Sequence, residues 1–376
     1  MGEQDRNVAE TLQALRRLDE QLVALLNERA RLSQELGQSR RTLAGTGTDS
    51  LARSHDPAAE AALLEHALAA NRNQRLRDSE LREIYQRILA VCRHHEAGKT
   101  LTVACLGPVA TQTHLAVLER FGTTIHCRLE ERPEDVLRQV LIGQADYGMV
   151  AIENSLQGPV YETLDLLPGT PLRIYAEYTR PIEHCLVARP DSGPIVKIYS
   201  HPQVLGQCRH TLRNWEEEHH VRLVLEAVSS TSEGARRARE EPGAAALATR
   251  LAAETWGLTV LEEHMEDEPE LNQTRFWVLG RAEMGTPPPT GRDKTTIWFQ
   301  VRNEAGALYA ALQPLRDHSI SMSSILSRPI RRQPWVYGFF VDFDGHTDQP
   351  EVRETLQEVR RHCLELEVLG SYPVEA

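Results

Sequence analysis

Four polar clusters in the middle of the chain carry residue types suited to holding an anion. They are Gly107-Pro108-Val109-Ala110-Thr111, Glu153-Asn154-Ser155, Ser200-His201-Pro202-Gln203 and Ser230-Thr231. Each closes a run that reads as a strand. In open α/β sheets ligands sit at the carboxyl ends of strands, so the four clusters are expected to converge on one cleft. Backbone N–H groups at a helix start can hold a carboxylate there. Taken singly, each cluster also reads as an ordinary helix cap. A fifth segment, Asn272-Gln273-Thr274-Arg275-Phe276, makes the set specific. A different chemistry is suggested near the N-terminus, where leucines at 15, 18, 22, 25, 32, 36 and 43 form a heptad seam and Arg29 falls on it. A guanidinium on a seam is costly unless an anion meets it. Arg40 lies about three turns further along the same face. Either the arginine snorkels out of a helical hairpin, or the pair lines a helical pocket for a dicarboxylate.

The elements that must position these residues fall into three blocks, as expected for 376 residues. The heptad pattern predicts one helix over 8–43, wanting a partner helix. A loop follows at 45–54. Asp56-Pro57 reads as an N-cap with a first-turn proline, opening a helix to about 70. A third helix is predicted over 79–96, with Gly98 closing it. From Leu101 the pattern alternates strands with amphipathic helices, which predicts a mainly parallel α/β sheet. The stretch 172–188 is too long for one short strand and is expected to hold a crossover between two lobes. Residues 285–291, Gly-Thr-Pro-Pro-Pro-Thr-Gly, read as a linker. After it the order βαββαβ predicts a ferredoxin-like module. The expected domains are 1–97, 100–281 and 293–376.

Composition narrows the function. Charged residues are 26% and the net charge is −12, so phosphate backbones are repelled and nucleic acid is not an expected partner. No apolar run is long enough to span a bilayer. The N-terminal residues are polar, without the apolar core of a signal peptide. Six cysteines are scattered at 92, 105, 127, 185, 208 and 363 with no C-x-x-C pair. Reduced thiols in the cytoplasm are expected, and neither a zinc site nor a disulfide framework.

Residues 8–96 resemble the helical chorismate mutase family. The resemblance rests on Leu18-Asp19-Glu20, Leu25 to Arg29, Gly37, Asp56-Pro57, Glu60 and Leu63-Leu64-Glu65. It implies a pericyclic rearrangement of chorismate to prephenate, which needs a folded substrate, cations on two carboxylates and donors at an ether oxygen. By motif, Arg29 binds a carboxylate and Arg40 stands where the family reaches the ether oxygen. Asp56 and Glu60 hold the hydroxyl region, and Glu96 occupies a Gln/Glu position. Two arginine positions of the family are Leu12 and Ala59 here, which predicts weak chorismate binding. Arg16 or Arg53 would be the substitutes.

Residues 101–280 resemble prephenate dehydratase, whose tightest signature is the triplet Thr274-Arg275-Phe276. The resemblance implies a two-lobed fold like periplasmic binding proteins, with no metal and no organic cofactor. Prephenate loses carbon dioxide and its ring hydroxyl, and aromatisation drives the reaction. Thr274 is then the expected donor to the leaving hydroxyl, with Glu153 and His201 as acid–base helpers. Arg275, Asn154, Ser155, Thr111, Ser230 and Thr231 would hold substrate. The first loop departs from the family, with Ala110 for glycine and Gln112 for an aromatic.

Residues 293–372 resemble an ACT regulatory domain. Gly306-Ala307-Leu308 and Ser327-Arg328-Pro329 match the two motifs that bind phenylalanine between paired domains. Tyr309 and Leu326 depart from them. The domain order resembles the bifunctional mutase–dehydratase family over nearly the whole chain. It implies small-molecule substrates, phenylalanine as allosteric ligand and a homodimer or higher homo-oligomer. Relatives that decarboxylate without aromatising lack the threonine, so Thr274 argues against them. A non-catalytic sensor of aromatic amino acids is the reading from another class, and the intact clusters argue against it.

Overall fold

The computed structural model describes residues 3–44, 56–72, 75–330 and 336–374; the loop expected at 45–54, with Arg53, lies outside the described residues. Three helices come first: α1 (Glu3–Ala44), α2 (Pro57–Ala69) and α3 (Asp78–Ala97). Asp56 caps α2, its carboxylate accepting from Ala59 N at 3.0 Å, with Pro57 in the first turn. Helix α3 packs along the C-terminal part of α1. At their crossing a Cβ on Gly37 would overlap the backbone carbonyl of Glu96, so only glycine allows the approach. The rest of the seam is uncovered: Leu12, Leu15, Leu18, Leu22, Leu25 and Leu32 are all at least half exposed. No helix among the described residues is long and apolar enough to cross a membrane.

The first lobe runs β1 (Thr102–Leu106), α4 (Gln112–Phe121), β2 (His126–Glu130), α5 (Pro133–Leu141), β3 (Tyr147–Asn154), β4 (Gly158–Pro159), α6 (Tyr161–Leu164) and β5 (Leu172–Pro181). The second runs β6 (Cys185–Ala188), β7 (Lys197–Ser200), α7 (Pro202–Gln207), α8 (Arg209–His219), β8 (Val224–Ala227), α9 (Thr231–Glu240), β9 (Ala244–Ala248), α10 (Arg250–Trp256) and β10 (Thr259–Glu262). The chain then returns to the first lobe as β11 (Gln273–Arg281). The long stretch 172–188 is therefore two strands, one in each lobe. Sheet order is β2-β1-β3-β11-β5 in the first lobe and β10-β6-β9-β7-β8 in the second. Both sheets are mixed rather than mainly parallel. The strand entering and the strand leaving each crossover are antiparallel to their neighbours. Alternation of strand and helix could not reveal this, because the reversal comes from the returning chain.

The C-terminal module has the order β12 (Asp293–Gln300), α11 (Ala307–Asp317), β13 (Met322–Pro329), β14 (Tyr337–Asp344), α12 (Pro350–Arg361) and β15 (Glu365–Pro373), with strand order β13-β14-β12-β15. It is not an independent body on a linker. Trp298, Phe340, Leu369 and Tyr372 share one core with Ile152, Ile174, Trp277 and Leu279 of the first lobe. The opposite face of the same sheet packs Ile297, Phe299, Val341 and Phe343 under α11 and α12. Buried on both faces, β12 and β14 carry consecutive apolar residues, Ile297-Trp298-Phe299 and Phe339-Phe340-Val341, where a one-sided sheet would alternate.

Candidate active site

Strand β11 lies antiparallel to β3 with Thr274 opposite Asn154, so their side chains meet on one face. The Asn154 carbonyl oxygen accepts from the backbone N–H groups of Leu156 and Gln157, at 3.1 and 3.2 Å. That fixes the amide, and its Nδ2 must face the other way. There it donates to Thr274 Oγ1 at 3.0 Å and Asn272 Oδ1 at 2.9 Å. Thr274 Oγ1 therefore accepts from Asn154, which leaves its own proton available to another acceptor. Asn272 is fully buried, and its Nδ2 has no hydrogen-bond partner among the described residues. Sequence reading passed over Asn272 as a site residue; its place two residues before Thr274 was the available signal. Ser155 braces the approach to β11, donating to Leu271 O and accepting from Gln273 N at 2.8 Å.

The other strand-end residues act as helix caps. Thr111 Oγ1 donates to Leu106 O at 3.2 Å and accepts from His114 N at 3.3 Å. His201 Nδ1 accepts from Gln203 N at 3.3 Å. Ser230 Oγ accepts from Glu233 N at 3.1 Å, and Thr231 beside it is buried. Capping aims the starts of α4, α7 and α9 outward from the strand ends. The two lobes touch at this edge: Thr249 Oγ1 of the second lobe donates to Ala110 O at 2.9 Å. Ala110 sits at φ 63°, the left-handed region where the family's glycine is at home. Its N–H donates to His114 Nδ1 at 2.9 Å, and burial lowers the pKa of His114, so the ring is a neutral acceptor. Gln112 stands where an aromatic was expected and donates to Glu183 O at 3.1 Å, while accepting from Arg180.

Arg275 turns away from this face. Its guanidinium bonds Glu153 at 2.7 Å, Glu177 at 2.7 Å and Asp342 at 2.8 Å. Burial alone would raise the Glu177 carboxyl, but Arg275 and Lys294 outweigh it and hold it below the usual carboxylate range. Lys294 closes the cluster on Glu177 at 2.8 Å.

A second polar site lies among the helices. Arg40 pairs with Glu96 and, at 3.1 Å, with Asp56. Glu60 is held by Arg93 at 2.6 Å and by Arg120 at 3.0 Å. Arg93 is fully buried and comes from α3, and Arg120 belongs to the first lobe; neither was expected from the sequence. Arg29 Nη1 is buried with no hydrogen-bond partner among the described residues. A cavity of about 1000 Å³ opens beside Asp56 and Glu60, with β5 as its far wall. Burial pushes the Glu96 carboxyl up to about 7; Arg40 opposes this, and Glu60 and Asp56 add to it. Its folded value lies above its unfolded one. Glu96 therefore contributes stability that is full below about pH 4.5 and is lost as pH rises through about 7. The expected effect is on the order of 2 kcal/mol, after allowance for solvent reaching the carboxyl. Urea unfolding followed by helical signal should show wild type gaining stability from pH 8 to pH 5.5 relative to Glu96→Gln. Parallel curves for the two proteins would rule this out.

In the C-terminal module Gly306, at φ 82°, caps α11, so Ala307 and Leu308 form its first turn. Ser327 is exposed on β13, with Pro329 at the strand end. Arg328 points to the first lobe. It bonds both carboxylate oxygens of Asp165, at 2.8 and 2.7 Å, and lies over the Tyr161 ring at 4.1 Å.

Three family models match in succession: chorismate mutase type II over 12–97, prephenate dehydratase over 103–284 and the ACT domain over 295–361. A bifunctional chorismate mutase/prephenate dehydratase from Pseudomonas aeruginosa is 35% identical, over 99% of both chains. Among solved structures, a prephenate dehydratase from Arthrobacter aurescens in complex with L-Phe is 33% identical. It covers 73% of this chain and 90% of its own, with a TM-score of 0.66. GqqA, described as a quorum quenching acylase, is 30% identical, with 73% and 98% covered and a TM-score of 0.65.

Proposed function

We propose, for a chain that belongs to the bifunctional chorismate mutase/prephenate dehydratase family, that Thr274 is the hydroxyl donor of its dehydratase reaction and Asn154 the group that aims it. The observation that carries this is the fixed Asn154 amide donating to Thr274 Oγ1. In the reaction the bond to the ring carboxylate breaks and its electron pair enters the ring. The C–O bond at the opposite carbon then breaks, and the oxygen leaves as water once a proton reaches it. A threonine hydroxyl is a very weak acid, so it serves as a positioned hydrogen-bond donor rather than as an acid. Thr111, Ser230 and Thr231 present helix starts to the carboxylates. Glu153 is paired with Arg275, which leaves His201 the freer acid–base helper. Ser155 and Arg275 brace the strands.

We read the dehydratase domain as 100–281, the helical domain as 1–97 and the regulatory domain as 293–376, with phenylalanine held by Gly306-Ala307-Leu308 and Ser327-Arg328-Pro329. The uncovered leucine seam of α1 supports a second copy of the chain as its partner. The free cysteines fit a reducing compartment, the cytoplasm. In the helical domain Arg29 and Arg40 would bind chorismate, with Asp56 and Glu60 at its hydroxyl. Glu96, protonated below about pH 7, would donate to the ether oxygen. Leu12 and Ala59 leave two carboxylate contacts unmade.

The test is to feed the purified chain prephenate and chorismate separately and follow phenylpyruvate. Prephenate should turn over rapidly. Chorismate should turn over slowly, and faster by roughly tenfold or more when Leu12→Arg and Ala59→Arg supply charged contacts. No phenylpyruvate from prephenate would end the dehydratase reading. Fast wild-type chorismate turnover would end the account of the helical site.

A further inference from the structure

We propose that Asp342, a residue of the C-terminal module, is a positioning residue for the dehydratase step: through Arg275 it fixes the strand end that presents Thr274. The inference rests on Thr274 being the donor.

Thr274 is the second residue of β11, where a strand frays, and the ladder between β11 and β3 is interrupted by a bulge just after Arg275. On the β3 side the piece carrying Thr274 therefore keeps a short register of its own, while on the β5 side the ladder runs unbroken from Gln273 to Val278. Its placement against Asn154 then depends on side-chain anchors as well as on the β5 ladder, and Arg275 is the anchor next in sequence. Successive strand residues face opposite ways. Thr274 faces Asn154, and Arg275 faces the regulatory sheet.

The anchor grips both halves of the catalytic pair from behind. Arg275 is itself next to Thr274, and its partner Glu153 is next to Asn154 and opposite Arg275 in the ladder. Asp342 supplies the third carboxylate, and it is buried and rigidly held. Its Oδ2 accepts from Arg275, and its Oδ1 accepts from Thr296 Oγ1 at 2.8 Å. Thr296 in turn accepts from the Tyr372 hydroxyl at 2.7 Å. All three sit on the face that shares a core with the first lobe. The regulatory sheet is tied to the same region a second time, because Asp165, bonded to Arg328, follows directly on α6 and so on β4, the strand paired with Glu153 and Asn154. Displacing this sheet would therefore move the Thr274 hydroxyl without touching the cleft.

The test uses the full-length protein and initial rates over a range of prephenate. Asp342→Asn keeps the shape and removes the charge that holds Arg275. The expected result is a kcat about tenfold lower with KM within about twofold, since misplacement of a reacting group costs rate rather than binding. Asp342→Glu should recover most of it. In a Thr274→Ala background the same change should cost less than about twofold, because no hydroxyl is left to misplace. Asp342→Asn turnover within about twofold of wild type would overturn the proposal. So would a tenfold loss that persists in Thr274→Ala, since Asp342 would then act elsewhere. Near-normal turnover by Thr274→Ala alone would instead remove the donor reading on which the proposal stands. If Asp342→Asn fails to fold, as judged by its melting curve, Lys294→Gln loosens the same cluster from the Glu177 side and is read by the same criteria.

Discussion

Thr274→Ala should lower dehydratase turnover by roughly 10²- to 10³-fold, the usual cost of losing one preorganised donor to a developing charge. The argument is geometric. Asn154 is oriented by two backbone N–H groups and donates to Thr274. The hydroxyl proton is thereby left available to a substrate acceptor. Alanine removes that donor but leaves the backbone of β11 in place. Because Thr274 is nearly buried, the lost methyl and hydroxyl leave a small gap, and the cost in stability should stay near 1 kcal/mol. Thr274→Ser retains the hydroxyl and should keep most of the rate. Stopped-flow or steady-state assay of phenylpyruvate formation reads the effect, with a melting curve as control. Near-normal turnover by the alanine variant would show that the proton comes from another group.

Gly370→Ala should destabilise the contact between regulatory sheet and first lobe by about 1–3 kcal/mol, seen as a drop of several degrees in melting temperature. Strand β15 crosses β5 so closely that a Cβ on Gly370 would overlap the carbonyl oxygen of Ile174 and crowd its Cβ and carbonyl carbon. Two of these three are backbone atoms, which cannot swing aside as a side-chain tip could. The sheets must part, and the shared core of Trp298, Phe340 and Tyr372 against Ile174, Trp277 and Leu279 loosens with them. Gly206→Ala is the matched control. It lies in α7, its Cβ would meet nothing, and its backbone is helical. Alanine there should be neutral or stabilise by about 0.5–1 kcal/mol. Equal melting of Gly370→Ala and wild type would mean that the sheets do not bear on each other at this point.

The amino-acid sequence by itself determined the three blocks, their element order and the strand ends where polar residues gather. These follow from local signals: the heptad leucines, Asp56-Pro57, the capping residues Thr111 and Ser230, and the alternation of apolar runs with amphipathic ones. Such signals are written within a few residues of where they act. Arg29 and Arg40 were legible in the same way, as cations on a helix face that wants a partner, whereas Asp56, Glu60 and Glu96 were singled out by the family resemblance.

What only the tertiary structure decided concerns pairs distant in the chain. Arg93 and Arg120 meet Glu60 because α3 and α4 stack beside α2, and no local pattern records that. Arg275 follows Thr274 directly, yet one faces the cleft and the other Asp342. The pleat puts them on opposite sides, but which side is the cleft depends on what covers the sheet. The Pro-rich segment 285–291 reads as a spacer, while the sheet beyond it shares a core with the first lobe. The hint in β12 was limited to Ile297-Trp298-Phe299, apolar at three consecutive positions where a one-sided sheet would alternate. Composition tells that both faces are buried; the partner of the second face is set by packing.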